Sequence, residues 1–227
     1  MWRRLAAGLL CLVLFAGGRV FAEEEAQTAT SPASAGELKA VVLQAGRDFD
    51  PAADETNCKA QLDAAMAQVA EYGMNAVLFP ANTSDGALYS GTIWPMSSGF
   101  DLVAYAAEAA RGQGLSFYVI LDASNGVGAE GQYGPRANLS AEAVQQTAAV
   151  LSELTAQCQP DGVYLTGYYN QKTAESMSLY RSEGASMGYD NWVRECVSSL
   201  VVNAGAAVRE AKADALFGLI ADPVWAN

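Results

Sequence analysis

From Leu38 onward, the chain alternates short runs of continuously apolar residues with longer segments whose apolar positions recur every three to four residues. The runs are Leu38 to Gln44, Ala76 to Ala81, Ser116 to Asp122, Gly162 to Tyr168 and Leu216 to Asp222. A run apolar at every position, rather than at every second one, is what a strand covered on both faces requires, so these runs predict a parallel sheet wrapped by helices. Four helical segments lie between them. The first follows Thr56 and Asn57, puts Leu62, Ala65, Met66 and Val69 on one face, and stops at Gly73. The second starts at Asp101, turns Leu102, Tyr105, Ala106 and Ala109 inward, and closes at Gly112. The third has Ser140 as its N-cap and Glu142 in a first turn that favours an acid, followed by Val144, Ala148, Leu151 and Leu154. The fourth runs from Asp190 to Lys212 with Val193, Val197, Leu200, Val201, Ala204 and Val208 inward.

Strand then helix, four times over, ending on a fifth strand, fits either an open doubly wound sheet or a (β/α)8 TIM barrel. Neither GxGxxG nor GxxxxGK[ST] occurs, which removes the support for a nucleotide-binding open sheet. A TIM-type α/β barrel is therefore expected, with about five strands and four helices of the eight of each that a barrel contains. By that count the chain is the amino-terminal part of a barrel, and its two unpaired sheet edges invite self-association. Barrel chemistry sits at the carboxyl ends of the strands, which directs attention to Gln44–Asp50, Pro80–Ser90, Asp122–Tyr133, Thr166–Tyr180 and Asp222–Asn227.

The first 22 residues stand apart. Arg3 and Arg4 precede an apolar run from Leu5 to Ala16, and Val20-Phe21-Ala22 forms a small-residue cleavage pattern before three glutamates. This is the layout of a secretory signal peptide, and the run is too short to span a bilayer comfortably. Residues 23–36, rich in Ala, Ser, Thr and Glu, read as a flexible leader, and residues 37–227 as the barrel domain. The expected location is outside the cell or in its envelope, with no membrane association after cleavage.

Composition narrows the chemistry. The 227 residues include no histidine, 25 acids and 13 bases, a net charge of -12. Catalysis through Ser-His-Asp or Cys-His pairs and His-ligated metal sites are excluded, and acid-base work falls to carboxylates, tyrosine or lysine. The negative charge repels phosphate backbones and anionic lipid, so no nucleic-acid partner is expected. No metal or cofactor is expected either. Cys58, Cys158 and Cys196 form no CxxC pair, and each falls on an apolar helical position, as small buried hydrophobes do.

A set of segments in order carries a resemblance: LKAVVLQ, YGMNAVLFPANTSDGALYSGTIWPMS, FDLVAYAAEAARGQGLSFYVIL, QPDGVYLTGYY, YDNWVRECVSSLV and LFGLIADPVWAN. Together they resemble the glycosyl-hydrolase-like 10 family, secreted bacterial TIM-barrel proteins associated with hydrolysis or binding of bacterial glycans. The resemblance implies a carbohydrate partner and marks Asp85 as a substrate-contact position. It also has gaps. The family's fourth strand ends in two adjacent aspartates, its expected catalytic acids, where this chain has Thr166 and Gly167. A family histidine on the third strand is Tyr118 here, and an arginine near the end is Ala226.

Glycoside hydrolysis ordinarily needs two carboxyl groups flanking the bond. Asp122 and Asp222 close the strands on either side of the fourth and are the candidate rebuilt catalytic pair; the alternative is that both cap turns, as Asp commonly does. Asp161, at the amino end of its strand, belongs to the stability face. Tyr89, Trp94, Tyr168 and Trp225 are candidate sugar-stacking platforms because they join aromatic faces to loop positions at the expected mouth. Three readings follow: a hydrolase with relocated acids, a catalytically silent glycan-binding barrel, or a truncated family member without activity.

Overall fold

The computed structural model describes residues 37–128, 130–136, 139–168 and 174–221. Five parallel strands form one sheet in the order β1 (Ala40–Val42), β2 (Ala76–Pro80), β3 (Ser116–Asp122), β6 (Gly162–Thr166) and β7 (Leu216–Leu219). Between them run α1 (Glu55–Glu71), α2 (Leu102–Gly112), α3 (Ala141–Cys158) and α5 (Tyr189–Ala211). The βα repeat and the strand neighbours are those expected of a barrel whose sequential strands pair side by side.

Helix boundaries follow from their caps. The Asp54 carboxylate accepts the Asn57 N–H at 3.0 Å, so α1 begins at Glu55 and takes Thr56 and Asn57 into its first turn rather than starting after them. Asp101 caps α2 through the Ala104 N–H at 2.8 Å, and Ser140 caps α3 through the Ala143 N–H at 3.0 Å. Gly73 and Gly114, both at φ +72°, reverse the chain after α1 and α2. The α3 terminus is closed differently. Gln159 adopts φ 48°, and the Arg111 guanidinium donates to the carbonyls of Cys158 and Gln159 at 3.0 and 2.9 Å.

β3 spans its apolar run in full, and the other four strands are shorter than theirs. β6 stops at Thr166 rather than Tyr168 because Gly167 turns the chain at φ +62°. β1, on the sheet edge, keeps three residues of its apolar run in the ladder. Along β3, Phe117, Val119 and Leu121 point to the helices, where they join Val77, Phe79, Val163 and Leu165 with Leu62, Met66, Leu102, Val103, Leu151, Leu154 and Leu200 in the main core. The opposite face holds Ala76, Leu78 and Tyr118, with Ile120, Tyr164 and Ile220 against them. On that face register sets large against small: Tyr118 pairs with Gly162, and Tyr164 with Gly218. A Cβ on Gly218 would lie 2.5 Å from the Tyr164 ring, so the glycine provides the room the ring fills.

Three elements escaped the hydrophobic pattern. A small antiparallel hairpin, β4 (Asn125–Val127) with β5 (Tyr133–Pro135), stands on the loop after β3. After β6 come a short helix α4 (Ala174–Leu179) and a π-helical turn, Tyr180–Gly184. The turn packs through Tyr180 on Tyr189 and Trp192, and a Cβ on Gly184 would overlap the Trp192 indole. Cys58 and Cys158 are buried and Cys196 is partly so, all three as free thiols. Among the described residues no helix is long and apolar enough to cross a membrane.

Candidate functional site

At the carboxyl ends of the strands, β3 and β6 close in register with Asp122 opposite Thr166. Both continue the face that holds Tyr118 and Tyr164, so their side chains crown the concave side of the sheet. The Asp122 carboxylate is already engaged. Its Oδ1 accepts the Ser124 N–H at 2.9 Å and the Ser124 hydroxyl at 2.6 Å, and its Oδ2 accepts from Asn125 Nδ2 at 3.0 Å. This is the turn-capping alternative for Asp122, and it holds the carboxylate over the backbone of residue 167. A Cβ built on Gly167 would overlap Asp122 Oδ1. The carboxylate therefore occupies the space a side chain at 167 would need.

Asn82, after β2, fastens the neighbouring strand end. Its Oδ1 accepts the Asp122 N–H at 2.9 Å, while its Nδ2 donates to the Asp122 carbonyl at 3.0 Å and to the Tyr133 hydroxyl at 2.9 Å. Tyr133 donates onward to the Thr83 carbonyl at 3.0 Å, and burial pushes its phenol up to about 12. The hairpin is thus tied to the β2 loop and forms a fixed wall. Neither Asn82 nor its partnership with Tyr133 was visible in the sequence, since nothing in spacing announces a hydrogen bond 51 residues apart.

Two of the expected sugar platforms lie elsewhere. Trp94 is 1 % exposed, its indole N–H donating to Gln146 Oε1 at 2.8 Å, its ring edge-on to Tyr133 and under the Arg136 guanidinium at 5.5 Å. Tyr89 is fully buried, with its hydroxyl 3.3 Å from Glu153 Oε2, and burial raises its phenol far above the ordinary range. Glu153 also takes the Thr92 N–H and hydroxyl at 2.7 and 2.6 Å. The loop after β2 folds back over α3, which draws both rings into the core instead of presenting them to a ligand; this corrects the expectation for them. Tyr168 is partly buried against the core just beyond Gly167. Asp85 is exposed in the β2 loop, with its N–H on the Thr83 hydroxyl at 3.2 Å. Asp222 and Trp225 lie outside the described residues. Asp161 sits at the opposite end of the sheet, accepting the Phe117 N–H at 2.7 Å.

Beside the mouth opens a cavity of about 570 Å³. Its walls come from the hairpin (Val127, Gly128), the first turn of α3 (Ser140, Glu142), α4 (Glu175, Ser178) and the π-turn (Ser182, Glu183). Arg136 lines it from below at 9 % exposure, giving Nη1 to Gln146 Oε1 and Nη2 to Thr147 Oγ1 at 2.8 Å. Its Nε–H has no hydrogen-bond partner. Among the described residues no three His, Cys, Asp or Glu side chains are grouped to hold a metal ion.

No family model matches the chain, and no curated protein does. Solved structures do. The glycoside hydrolase domain of PgaB (BpsB) from Bordetella bronchiseptica aligns with a TM-score of 0.60 at 12% identity, over 80% of this chain and 64% of that one. The alpha-L-fucosidase isoenzyme 2 from Paenibacillus thiaminolyticus gives 0.56 at 13%, over 80% and 32%. The alpha-galactosidase from Lactobacillus brevis gives 0.50 at 12%, over 81% and 27%. The fold is that of the glycoside-hydrolase TIM barrels. The chain spans less than two thirds of the length of each of these structures.

Proposed function

We propose that this chain is a secreted barrel module that binds a bacterial cell-envelope or exopolysaccharide glycan at the carboxyl ends of its strands, and that it belongs near the glycosyl-hydrolase-like 10 family. The observation that carries binding rather than hydrolysis is the state of Asp122. It is the carboxylate that closes β3 opposite Thr166, and it is spent on Ser124 and Asn125 beside a position occupied by glycine, while Asp85 lies exposed in the loop after β2 and not on a strand. Hydrolysis by two flanking carboxyl groups needs a second acid and a free first one. The proposed contacts are Asp85, Tyr168 and Trp225.

Incubation of the purified chain with insoluble peptidoglycan and with amino-sugar exopolysaccharide tests this reading. Co-sedimentation without release of reducing ends is the expected result. Release of reducing ends would favour a hydrolase in which Asp122 works with Asp222, and would vanish in Asp122→Asn. Absence of both binding and release would overturn the glycan reading. Export is tested separately by amino-terminal sequencing of the protein recovered outside the cytoplasm, with Glu23 expected first.

A further inference from the structure

We propose that this chain self-associates head to tail, the open edge of β7 in one copy pairing in parallel with the open edge of β1 in the next. The proposal is independent of the glycan reading. Among the described strands, β1 and β7 lie at the two ends of the sheet. The Leu43 N–H donates to the Leu78 carbonyl at 3.0 Å and the Ala76 N–H to the Lys39 carbonyl at 3.3 Å. β1 therefore reaches β2 through its odd-numbered residues, of which Val41 and Leu43 face the helices. Ala40 and Val42, on the concave side, turn their N–H and C=O groups to the open edge. β7 is the converse. Leu216 N–H donates to the Asp161 carbonyl at 3.0 Å and Ile220 N–H to the Leu165 carbonyl at 2.9 Å, which leaves Phe217 and Leu219, on the helix side, with backbone groups directed outward.

These two edges match. Inside the sheet β3 shows the rule: Ser116, on the concave side, donates back to the Asn75 carbonyl at 2.9 Å, and Phe117, on the helix side, accepts from the Asp161 N–H at 2.8 Å. Each strand bonds its predecessor through concave-side residues and its successor through helix-side residues. β7 offers the second set and β1 the first, so a second copy brings the complement of each edge in the same direction and on the same face. Pairing like edges would lack that match.

Exposure follows the same edges. Leu38, Val42, Leu216 and Leu219, on or beside these two strands, are 49, 41, 50 and 43 % exposed, and Met96 and Val202 are the large apolar side chains exposed elsewhere among the described residues apart from Tyr72. Tyr72 borders a groove of about 420 Å³ on the helix side of β1, with Val41, Leu43, Ala65 and Val69 in its walls. Neighbouring helices pack side by side over the sheet, as α5 does on α3, and α5 of the incoming copy would arrive with β7 beside this groove. The edges also lack the features that ordinarily discourage pairing: neither strand holds a proline, β7 carries no charge, and the one charge along Leu38–Leu43 is Lys39, drawn to Glu37 at 3.6 Å. A contact between unlike edges closes into a ring or continues as a chain, and both raise the mass above that of one copy.

Sedimentation velocity of the purified chain over a roughly hundredfold dilution series tests the proposal; assemblies are expected at the top of the range, dissociating toward single chains on dilution. Copies at -12 repel one another, so assembly should strengthen as NaCl screens that charge. Val42→Lys blocks one edge and Leu219→Lys the other, both at exposed positions, and thermal unfolding checks that each variant is folded. Each variant alone should sediment as a single chain. An equal mixture should form a dimer, because one variant keeps its β7 edge and the other its β1 edge. Amide hydrogen exchange on the unaltered chain gives a readout that needs no variant: the N–H groups of Val42 and Leu219 should exchange more slowly as protein concentration rises. A single chain at every concentration, assembly that weakens with salt, assembly that survives in either variant, a mixture that stays monomeric, or exchange at both amides that ignores concentration would each overturn head-to-tail pairing.

Discussion

Gly167→Ala probes the mouth most directly. Two penalties combine. Residue 167 sits at φ +62°, where adding a β-carbon costs about 1 kcal/mol. The new methyl would also overlap Asp122 Oδ1 and crowd the Ser124 N–H, 2.9 Å away, so the carboxylate must leave. Its departure breaks the bonds at 2.9, 2.6 and 3.0 Å to Ser124 and Asn125. At roughly 0.5–1.5 kcal/mol each, with the low end appropriate to a partly exposed group, the total is about 2–4 kcal/mol. For a unit of this size that lowers Tm by roughly 4–16 °C. The decisive measurement is a double-mutant cycle by urea denaturation. Asp122→Ala removes the obstacle, so Asp122→Ala/Gly167→Ala should cost less than the two single changes summed, by about 1 kcal/mol or more. If Gly167→Ala changes stability by less than about 0.5 kcal/mol, or the two changes simply add, Asp122 does not occupy the space beside residue 167 and the description of the mouth fails.

Other outcomes follow from the buried groups. Trp94→Ala should lower stability by about 3–5 kcal/mol in urea titrations, as loss of a fully buried indole does, rather than weaken glycan binding selectively in a folded protein. Tyr89→Phe leaves the ring and removes its bond to Glu153, so a loss of about 1 kcal/mol is expected; an unchanged urea midpoint would disprove that contact. Burial, aided by the charge of Asp101, pushes the Cys158 thiol from 9.0 up to about 12, and burial likewise raises Tyr133 from 10.0 to about 12. Both folded values exceed the unfolded ones. Stability should therefore be full below pH 9 and fall as pH rises toward 12, because the unfolded chain ionises first. A urea midpoint that stays flat between about pH 8 and pH 11 would contradict this, and Cys158 should resist thiol reagents at pH 8 in the folded protein.

The repeating elements could be read in the sequence because periodicity and caps are local. Asp101 and Ser140 stand where their helices begin, and the apolar runs mark all five strands. The two reverse turns after α1 and α2 fall on glycines, as expected, although the second falls on Gly114 rather than Gly112. The site was less legible because its contents depend on contacts between distant segments. Trp94 and Tyr89 belong to a loop whose composition suits a mouth, yet Gln146 and Glu153 on α3, 52 and 64 residues away, draw them into the core. The hairpin and π-turn are too short for their periodicity to register, and Arg136, a lone cation after a Gly-Pro pair, gives no hint of being buried. Asp122 was singled out by position alone; that its carboxylate fits only because residue 167 is glycine emerges from the packing.

The tyrosines of the concave face also bear on how the strands find one another. Slide β6 along β3 by two residues, the smallest shift that keeps each side chain on its own face, and Tyr118 would meet Tyr164 instead of Gly162. Two rings cannot share the width left by a glycine, and the same slip between β6 and β7 sets Tyr164 against Leu216 or Ile220 in place of Gly218. Parallel ladders have evenly spaced hydrogen bonds that scarcely distinguish one alignment from the next. Here the side chains supply that discrimination by collision. The alignment that sets Asp122 beside Thr166 is therefore favoured at the centre of the strands, well below the mouth it serves.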